Sequence, residues 1–389
     1  MSGTRLITPS VVGNIALMLL QNKLIATQTF SRVHQEEFNG ARKIGDRVKV
    51  RRRQAGTVIR TGPYATGANT FQSPPETSID VTLQYNHRIP IEIEAGDFDL
   101  DLDDFASQIM EPQMVAIAED VDLAALLAFK EIPQIGGISR LAPTTLPNSA
   151  ADLQETEQDL FDQKVPGQGL VHCITSELHT GLVSSGTISS AEQRGDGGSS
   201  LENARVGRVA NMDHVRTQGI DSSTFTSGTT LVATTDGAHA AGATTITYDT
   251  ATGATTTLKK FDVLNIPGYG DVVVAADAVA AGSAGTFTIF EPLREAVADN
   301  VIMTKYDGSA ATRQLHGAAY HPDAFSFVTV PGEAPLGGVE SVVIQDGGLG
   351  IRVIWGYDIG NNRNQMTIDL YSGCTLVDGR LAVQTVKDI

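Results

Sequence analysis

Hydrophobic and polar positions alternate most clearly between residues 77 and 94. The apolar positions of this segment share one parity, with only His87 interrupting: Ile79, Val81, Leu83, Tyr85, Ile89, Ile91 and Ile93. Alternation with a period of two over this length predicts one long strand with one buried face. Pro90 has no N–H to donate to a neighbour, so it predicts a sheet edge or a bulge.

A second alternating segment, residues 44–60, precedes the first, and the Gly/Pro-rich stretch TGPYATGANTFQSPP separates the two. Two strands joined by such a stretch predict an extended hairpin with an irregular tip. Val48 and Val50 form the apolar face of its first strand, and Arg52 interrupts that face. The basic residues share the opposite face: Arg47, Lys49, Arg51 and Arg53.

Apolar spacing of three to four residues predicts three helices, at 8–30, at roughly 104–131 and at 149–165. Thr8 and Pro9 suit the first turn of the N-terminal helix. Pro112 should kink the long central helix or mark its true start. Ser149 and Asp152 form a potential capping box at the third helix.

The composition changes at about residue 222. Residues 222–307 are rich in Thr, Ala, Gly and Val, in short alternating stretches such as TTITYD, FDVLNI and GTFTIF. Short strands separated by turns at this spacing predict a small antiparallel barrel or sandwich. We therefore interpret this segment as an inserted β-domain.

The net charge of −17 is unevenly distributed along the 389 residues. Residues 1–60 contain eleven Lys and Arg against three acidic residues, so the rest of the chain carries the entire negative balance. Such an asymmetry indicates that the basic end meets a negatively charged partner. That partner is either nucleic acid or other copies of this acidic chain.

Two charged strips therefore have competing interpretations. The basic strand at 47–53 could bind DNA or RNA, but residues 45–60 contain no aromatic side chain for base stacking. A solvated or partner-facing strand is the favoured interpretation. The acidic strip at 92–104 could bind a divalent cation, but its alternating acids put every second carboxylate on one side of an extended chain, unlike an EF-hand loop with its glycine at position six. A solvated or partner-facing strip is favoured there too.

Other candidate chemistry is weak. DGGLG at 346–350 lacks the Lys-Ser/Thr of a phosphate-binding loop and predicts a turn, as GYGD at 268–271 does. His321 and Asp323 flank a proline, with no Ser or Cys motif nearby. Cys173 and Cys374 are predicted to be free thiols. The sequence contains no run of about 18 apolar residues, so it predicts no membrane-spanning helix. The sequence therefore predicts a protein with no enzymatic activity, cofactor or metal.

The order of these segments resembles the major capsid (coat) proteins of tailed bacteriophages with the Hong Kong 97-type fold, in the podovirus-type subfamily that carries an inserted β-domain. The resemblance covers nearly the whole chain. Asn211 marks a departure, because relatives often have a glycine near this position where ANMD stands here. Six segments carry the resemblance, in the family's order: LITPSVVGNIALMLLQNKLIATQTFSRVHQEEF, KIGDRVKVRRRQ, IEIEAGDFDLDLDDFASQIMEPQMVAIAEDVDLAALLA, LENARVGRVANMDHVRTQGI, AAYHPDAFSFVTVPGEAP and DLYSGCTLVDGRLAVQTV.

The resemblance implies an α+β fold with five parts. These are an N-terminal arm (1–43), an extended β-hairpin loop (44–94), a peripheral domain with a spine helix (95–135 plus 371–389), an axial domain (136–221 plus 308–370) and an inserted β-barrel-like domain (222–307).

By the same resemblance, the chain is expected to be a structural protein of the virion, assembled in the cytoplasm of a bacterial host. Copies would form the hexamers and pentamers of an icosahedral shell, first as a procapsid and then as a mature head around double-stranded DNA. A portal protein is an expected partner. The chain shows no long N-terminal extension like the fused scaffold of some relatives, so a separate scaffolding protein is expected as well.

Under this interpretation the two charged strips are predicted to meet between subunits. The predicted contact residues are Arg47, Lys49, Arg51, Arg53, Asp97, Asp99, Asp101 and Asp103. Two alternatives remain open: a nucleic-acid-binding protein that uses strand 47–53, and a cellular nanocompartment shell protein of the same fold.

Overall fold

The computed structural model shows a mixed α+β chain whose contacts divide it into two compact units. Unit 1 comprises Met1–Val48, Val81–Thr224 and Gln314–Ile389, and unit 2 comprises Lys49–Asp80 and Phe225–Arg313. The structure describes residues 8–38, 44–53, 76–93, 102–137, 146–185, 206–222, 224–226, 228, 232–250, 256–280, 284–306, 312–335, 337, 339–358, 360 and 363–388.

The α-helices among these residues are α1 (Pro9–Lys23), α2 (Leu102–Phe105), α3 (Glu111–Leu126), α4 (Ala150–Asp162) and α5 (Ser176–Ser184). A π-helical turn, Ala106–Met110, joins α2 to α3, and a 3-10 turn, Leu127–Glu131, follows α3. Pro112 therefore lies in the first turn of α3, where its missing N–H costs no helical hydrogen bond. The predicted Ser149–Asp152 capping box is confirmed at α4.

The strands in chain order are β1 (Arg47–Arg53), β2 (Glu76–Thr82), β3 (Tyr85–Ile93), β4 (Val171–Ile174), β5 (Arg208–Val209), β6 (Met212–Arg216), β7 (Phe225–Thr226), β8 (Val232–Thr235), β9 (Thr245–Thr250), β10 (Thr256–Leu258), β11 (Val263–Ile266), β12 (Gly270–Val273), β13 (Ala278–Ala280), β14 (Ala284–Thr288), β15 (Ile302–Lys305), β16 (Thr312–Tyr320), β17 (Phe325–Val330), β18 (Glu340–Asp346), β19 (Leu349–Asp358), β20 (Arg363–Leu376) and β21 (Ala382–Asp388).

The fourteen-residue strand β20 organises the first sheet of unit 1. One side of β20 pairs with β19 and then β17, the other side pairs with β3, and β18 continues the sheet beyond β19. Among the described strands β3 pairs with β20 alone, so Pro90 lies on a sheet edge, as predicted. Helix α1 packs on β18, β19 and α3.

The prediction of one continuous strand over 77–94 is wrong. The segment forms two strands, of which β2 pairs with β1 and β3 pairs with β20. The break lies at Leu83 and Gln84, where the backbone comes close to Gly373 of β20. A Cβ on Gly373 would lie 2.1 Å from the carbonyl oxygen of Thr82. This close approach is a long-range contact that the local alternation does not reveal.

The second sheet of unit 1 has the order β21–β16–β4–β6–β5, with β4 and β6 parallel. Between the elements of this unit lies an aromatic cluster of Phe30, Phe129, Tyr320 and Phe325, with ring centroids 4.9–6.1 Å apart. Its members come from the N-terminal segment, the end of the α3 run and the strands β16 and β17. Distant parts of the sequence therefore share one core.

Six strands of unit 2 form an antiparallel sheet in the order β12–β11–β15–β8–β9–β14. Val274 follows β12, Ile289 follows β14, and these two residues form an antiparallel bridge. The Ala275 N–H also donates to the Thr288 carbonyl at 2.7 Å. These contacts join the two outer strands, so the sheet closes into a barrel around Ile246, Tyr248, Leu264, Phe287 and Met303.

Strands β1 and β2 pair with each other in a two-stranded sheet. Residues 49–80 belong to the same compact unit as the barrel strands at 225–313. The five-part domain division itself stays a prediction. Among the described residues, 49–53 of β1 and 76–80 of β2 are grouped with the β-strands of 225–313.

Candidate inter-subunit surface

Strand β1 carries an exposed basic face, as its alternation predicts. Arg47, Lys49 and Arg51 are exposed, whereas Val50 is 6% exposed. The backbone of Arg53 continues the strand, and its side chain lies outside the described part of the structure. The exposed face therefore presents at least three positive charges in a chain of strongly negative balance.

The acidic half of the predicted contact falls almost wholly outside the described residues. Asp97, Asp99 and Asp101 are not described, and Asp103 is described only through its backbone, in α2. The structure therefore neither joins nor separates the two strips. Their pairing between subunits stays a prediction.

The residue that interrupts the apolar face of β1, Arg52, is buried at 8% exposure and forms an ion pair with Glu291. Both residues belong to unit 2. Glu291 also accepts a hydrogen bond from Arg294 Nε at 2.8 Å. The backbone N–H of Arg294 in turn donates to the Tyr269 hydroxyl at 3.0 Å, and burial raises the pKa of Tyr269.

Sequence reasoning missed this network because its partners are 239 residues apart along the chain. The sequence contained one signal: Arg52 lies at an alternate position of β1 where a regular strand would place an apolar, buried side chain. A buried cation needs a compensating anion, so this position predicts an acidic partner without identifying it.

A second cluster contains the side chains of a hydrolytic triad, of which the histidine and the serine are buried. His87 Nδ1 lies 2.5 Å from Asp120 Oδ2, and His87 Nε2 lies 2.7 Å from Ser372 Oγ. The solvent access is the reverse of what nucleophilic catalysis needs: Ser372 is 2% exposed, whereas the Asp120 side chain is 62% exposed. The cluster instead ties β3 to β20 and to α3.

The remaining sequence candidates have structural settings. DGGLG forms the turn between β18 and β19, with positive φ at Gly347 and Gly348, and GYGD forms the turn between β11 and β12. His321 accepts a hydrogen bond from the Asp323 N–H at 3.3 Å within a local turn. Cys173 and Cys374 are buried free thiols, and burial raises the pKa of both.

The described residues contain no group of three or more His, Cys, Asp or Glu side chains arranged to hold a metal ion. No helix among them combines the length and apolar character needed to cross a membrane.

Comparison with known proteins gives matches among solved structures only. No protein-family model and no curated protein matches the chain. A chain of Mycobacterium phage Che8 matches with a TM-score of 0.47 at 13% identity, covering 93% of this chain and 90% of that one. The capsid structure of the cyanophage P-SCSP1u gives 0.45 at 10% identity, covering 88% and 84%.

A virus-like particle from Pyrococcus furiosus gives a TM-score of 0.38 at 9% identity and covers 97% of both chains. Scores and identities at this level do not establish a shared fold.

Proposed function

We propose that the chain is the major capsid protein of a tailed bacteriophage, with the Hong Kong 97-type fold and an inserted β-domain. It self-assembles into the icosahedral shell, first procapsid and then mature head, that encloses the double-stranded DNA genome. The role is structural and not enzymatic. The observation that carries the proposal is the exposed basic face of β1 on a chain of net charge −17.

A closed shell requires heterologous contacts, in which one surface of a subunit meets a different surface of its neighbour. A basic strand and an acidic remainder supply two such unlike surfaces on one chain. Exposed ion pairs contribute only about 0–1 kcal/mol each, so they select the register of the contact. Most of the association energy must come from buried apolar area, at roughly 25 cal/mol per Å².

The acidic character also suits a container for DNA. A surface of net negative charge repels phosphate, so a genome could enter and leave without adhering to it. Proposed partners are further copies of the chain as hexamers and pentamers, a separate scaffolding protein and a portal protein. The proposed location is the virion capsid, after assembly in the host bacterial cytoplasm.

Electron microscopy of the purified protein, with and without candidate scaffold, tests this proposal. Closed shells are expected from the wild type, and their absence under all conditions would contradict it. The paired reversal Arg51→Glu with Arg53→Glu should block or misdirect assembly while the subunit still folds. Lys49→Glu should have a smaller effect of the same kind. Lys164→Glu, the same change at an exposed site outside β1, is its matched control.

DNA binding separates the proposal from a nucleic-acid-binding function of β1. Isolated subunits are expected to bind duplex DNA weakly at physiological salt. Submicromolar binding that falls steeply as salt is added would favour the nucleic-acid function instead.

A further inference from the structure

The Arg52 guanidinium lies inside unit 2, although it belongs to the most basic stretch of the sequence. Its side chain is 8% exposed, that of Glu291 is 16% exposed and that of Arg294 is 12% exposed. Glu291 follows β14, at the point where the barrel sheet closes. One carboxylate therefore bridges a guanidinium of β1 and a guanidinium of the barrel.

A two-stranded ribbon such as β1 and β2 is marginally stable by itself in water and needs packing against another element. Val50 and Arg52 are the buried side chains of β1. Removing two charges from water is costly, and the cost is offset only when the pair has well-formed hydrogen bonds. Arg52 Nη2 meets Glu291 whereas Arg52 Nη1 is buried without a hydrogen-bond partner among the described residues, so the burial of Arg52 is offset only while β1 stays docked against Glu291.

We infer that the Arg52–Glu291 pair fixes residues 49–53 of β1 against the barrel strands of unit 2 within the free subunit, so that Lys49 and Arg51 hold one orientation relative to the barrel before assembly begins. Arg52 is then a positioning residue for the assembly contact and not a contact residue itself. The inserted β-rich segment has the corresponding role of orienting the basic strand. Only the expected effect on shell assembly rests on the proposed capsid function, and the docking of β1 is independent of it.

Hydrogen exchange on the full-length, unassembled subunit tests the docking step. In Arg52→Met and Glu291→Gln, amides of 47–53 should exchange about tenfold faster or more, with β9 and β11 unchanged. Arg52→Lys, which keeps the charge, should lie between these variants and the wild type. Lys49→Met removes an exposed charge from the same strand and should leave exchange unchanged.

Two results would overturn the inference at this step. Unchanged exchange at 47–53 in both variants would show that the pair does not hold the strand. Faster exchange throughout β9 and β11 would show that the pair stabilises the barrel and not the docking of β1.

Assembly kinetics test the positioning step. Glu291→Gln should lower the rate and yield of closed shells by about tenfold although the exposed basic face is intact. Normal shells from a variant whose β1 exchanges freely would refute the positioning role. If the wild type forms no shells at all, the proposed function fails, and the exchange data still decide whether the pair docks β1.

Discussion

Among the described residues, unit 1 and unit 2 each contain a buried aspartate that accepts hydrogen bonds from main-chain N–H groups, and the two aspartates differ in whether a buried cation lies beside them. In unit 1, Asp122 of α3 accepts from the N–H groups of Ile25, Ala26 and Thr27 at 3.0–3.3 Å. It also accepts from the Thr27 hydroxyl at 2.7 Å. These bonds anchor the chain that follows α1.

In unit 2, Asp262 accepts from the N–H groups of Gly228 and Lys259 at 3.0 and 2.8 Å. The ammonium of Lys305, whose side chain is 1% exposed, lies 3.8 Å from Asp262. Lys305 also donates to the carbonyl of Gly228 at 2.6 Å. The same chain segment is therefore held by a carboxylate and by a buried cation.

The difference shows that burial alone does not set the cost of losing a carboxylate. The N–H and O–H groups that donate to Asp122 are neutral, so loss of the carboxylate leaves these donors unsatisfied. Around Asp262 the buried ammonium of Lys305 is close by, so loss of the carboxylate removes a negative charge beside a buried cation. The second loss should therefore cost more.

The largest expected effect is that of Asp262→Asn. We expect unit 2 to lose about 3 kcal/mol, because the Lys305 ammonium loses its nearby carboxylate. Amide exchange in β9, β11 and β15 measures the loss. The double variant Asp262→Asn with Lys305→Met should recover a large part of it, and a double variant no better than the single one would refute the charge argument.

Asp122→Asn should have a smaller effect, about 1–2 kcal/mol, in unit 1 alone. Trp355, the single tryptophan of the chain, belongs to unit 1, so its fluorescence follows the unfolding of that unit. Glu119→Gln, at an exposed position of the same helix, is the control and should leave the transition unchanged. A loss equal to or above that of Asp262→Asn would contradict the comparison.

A pH dependence distinguishes unit 1 further. His172 of β4 is directly opposite His214 of β6, with their Nδ1 atoms 3.1 Å apart. Burial, and secondly His214, hold the pKa of His172 well below its usual value. The unfolded chain therefore binds a proton near pH 6.5 that the folded chain does not bind, so stability is lost as the pH falls below this value.

The expected slope from this one group is at most about 1.4 kcal/mol per pH unit. His172→Gln should reduce the loss of stability of unit 1 below pH 6.5, as measured by the Trp355 fluorescence of the unfolding transition. Part of the fall should remain, because burial also lowers the pKa of His316. His34→Gln is the control for loss of a histidine. An identical slope in His172→Gln and the wild type would rule out this origin.

What the sequence could predict follows from the range of the interactions. Three features depend on neighbours within a few residues, and the sequence predicts them: the exposed basic face of β1, the capping box at Ser149 and the position of Pro112. The break between β2 and β3 depends on Gly373, which is almost 300 residues away in sequence. The partner of Arg52 is similarly distant, so local pattern could flag the buried arginine but not name Glu291.

The departure at Asn211 shows how sequence and structure inform one another. Ala210 and Asn211 form the two-residue turn between β5 and β6, with φ of 47° and 60°. Turns with two positive φ values favour Asn and Gly. Asn211 offsets its strain, since its side chain donates to the Gly167 carbonyl and accepts from Arg208 Nη2 at 2.8 Å. Ala210 has no polar side-chain group with which to do the same.

The smallest expected effect, and the one of opposite sign, is that of Ala210→Gly. We expect unit 1 to gain about 0.5 kcal/mol, because glycine relieves left-handed strain but loses more entropy on folding.

Phe261 of unit 2 is the counterpart: its φ is 73°, and its ring stacks on Phe290 at 5.6 Å. Phe261→Gly should therefore destabilise unit 2, since the lost stacking outweighs the relieved strain. The unfolding transition followed by Trp355 fluorescence measures the effect of Ala210→Gly, and amide exchange in β11 measures the effect of Phe261→Gly. If both substitutions changed stability in the same direction, the backbone φ alone would decide the outcome.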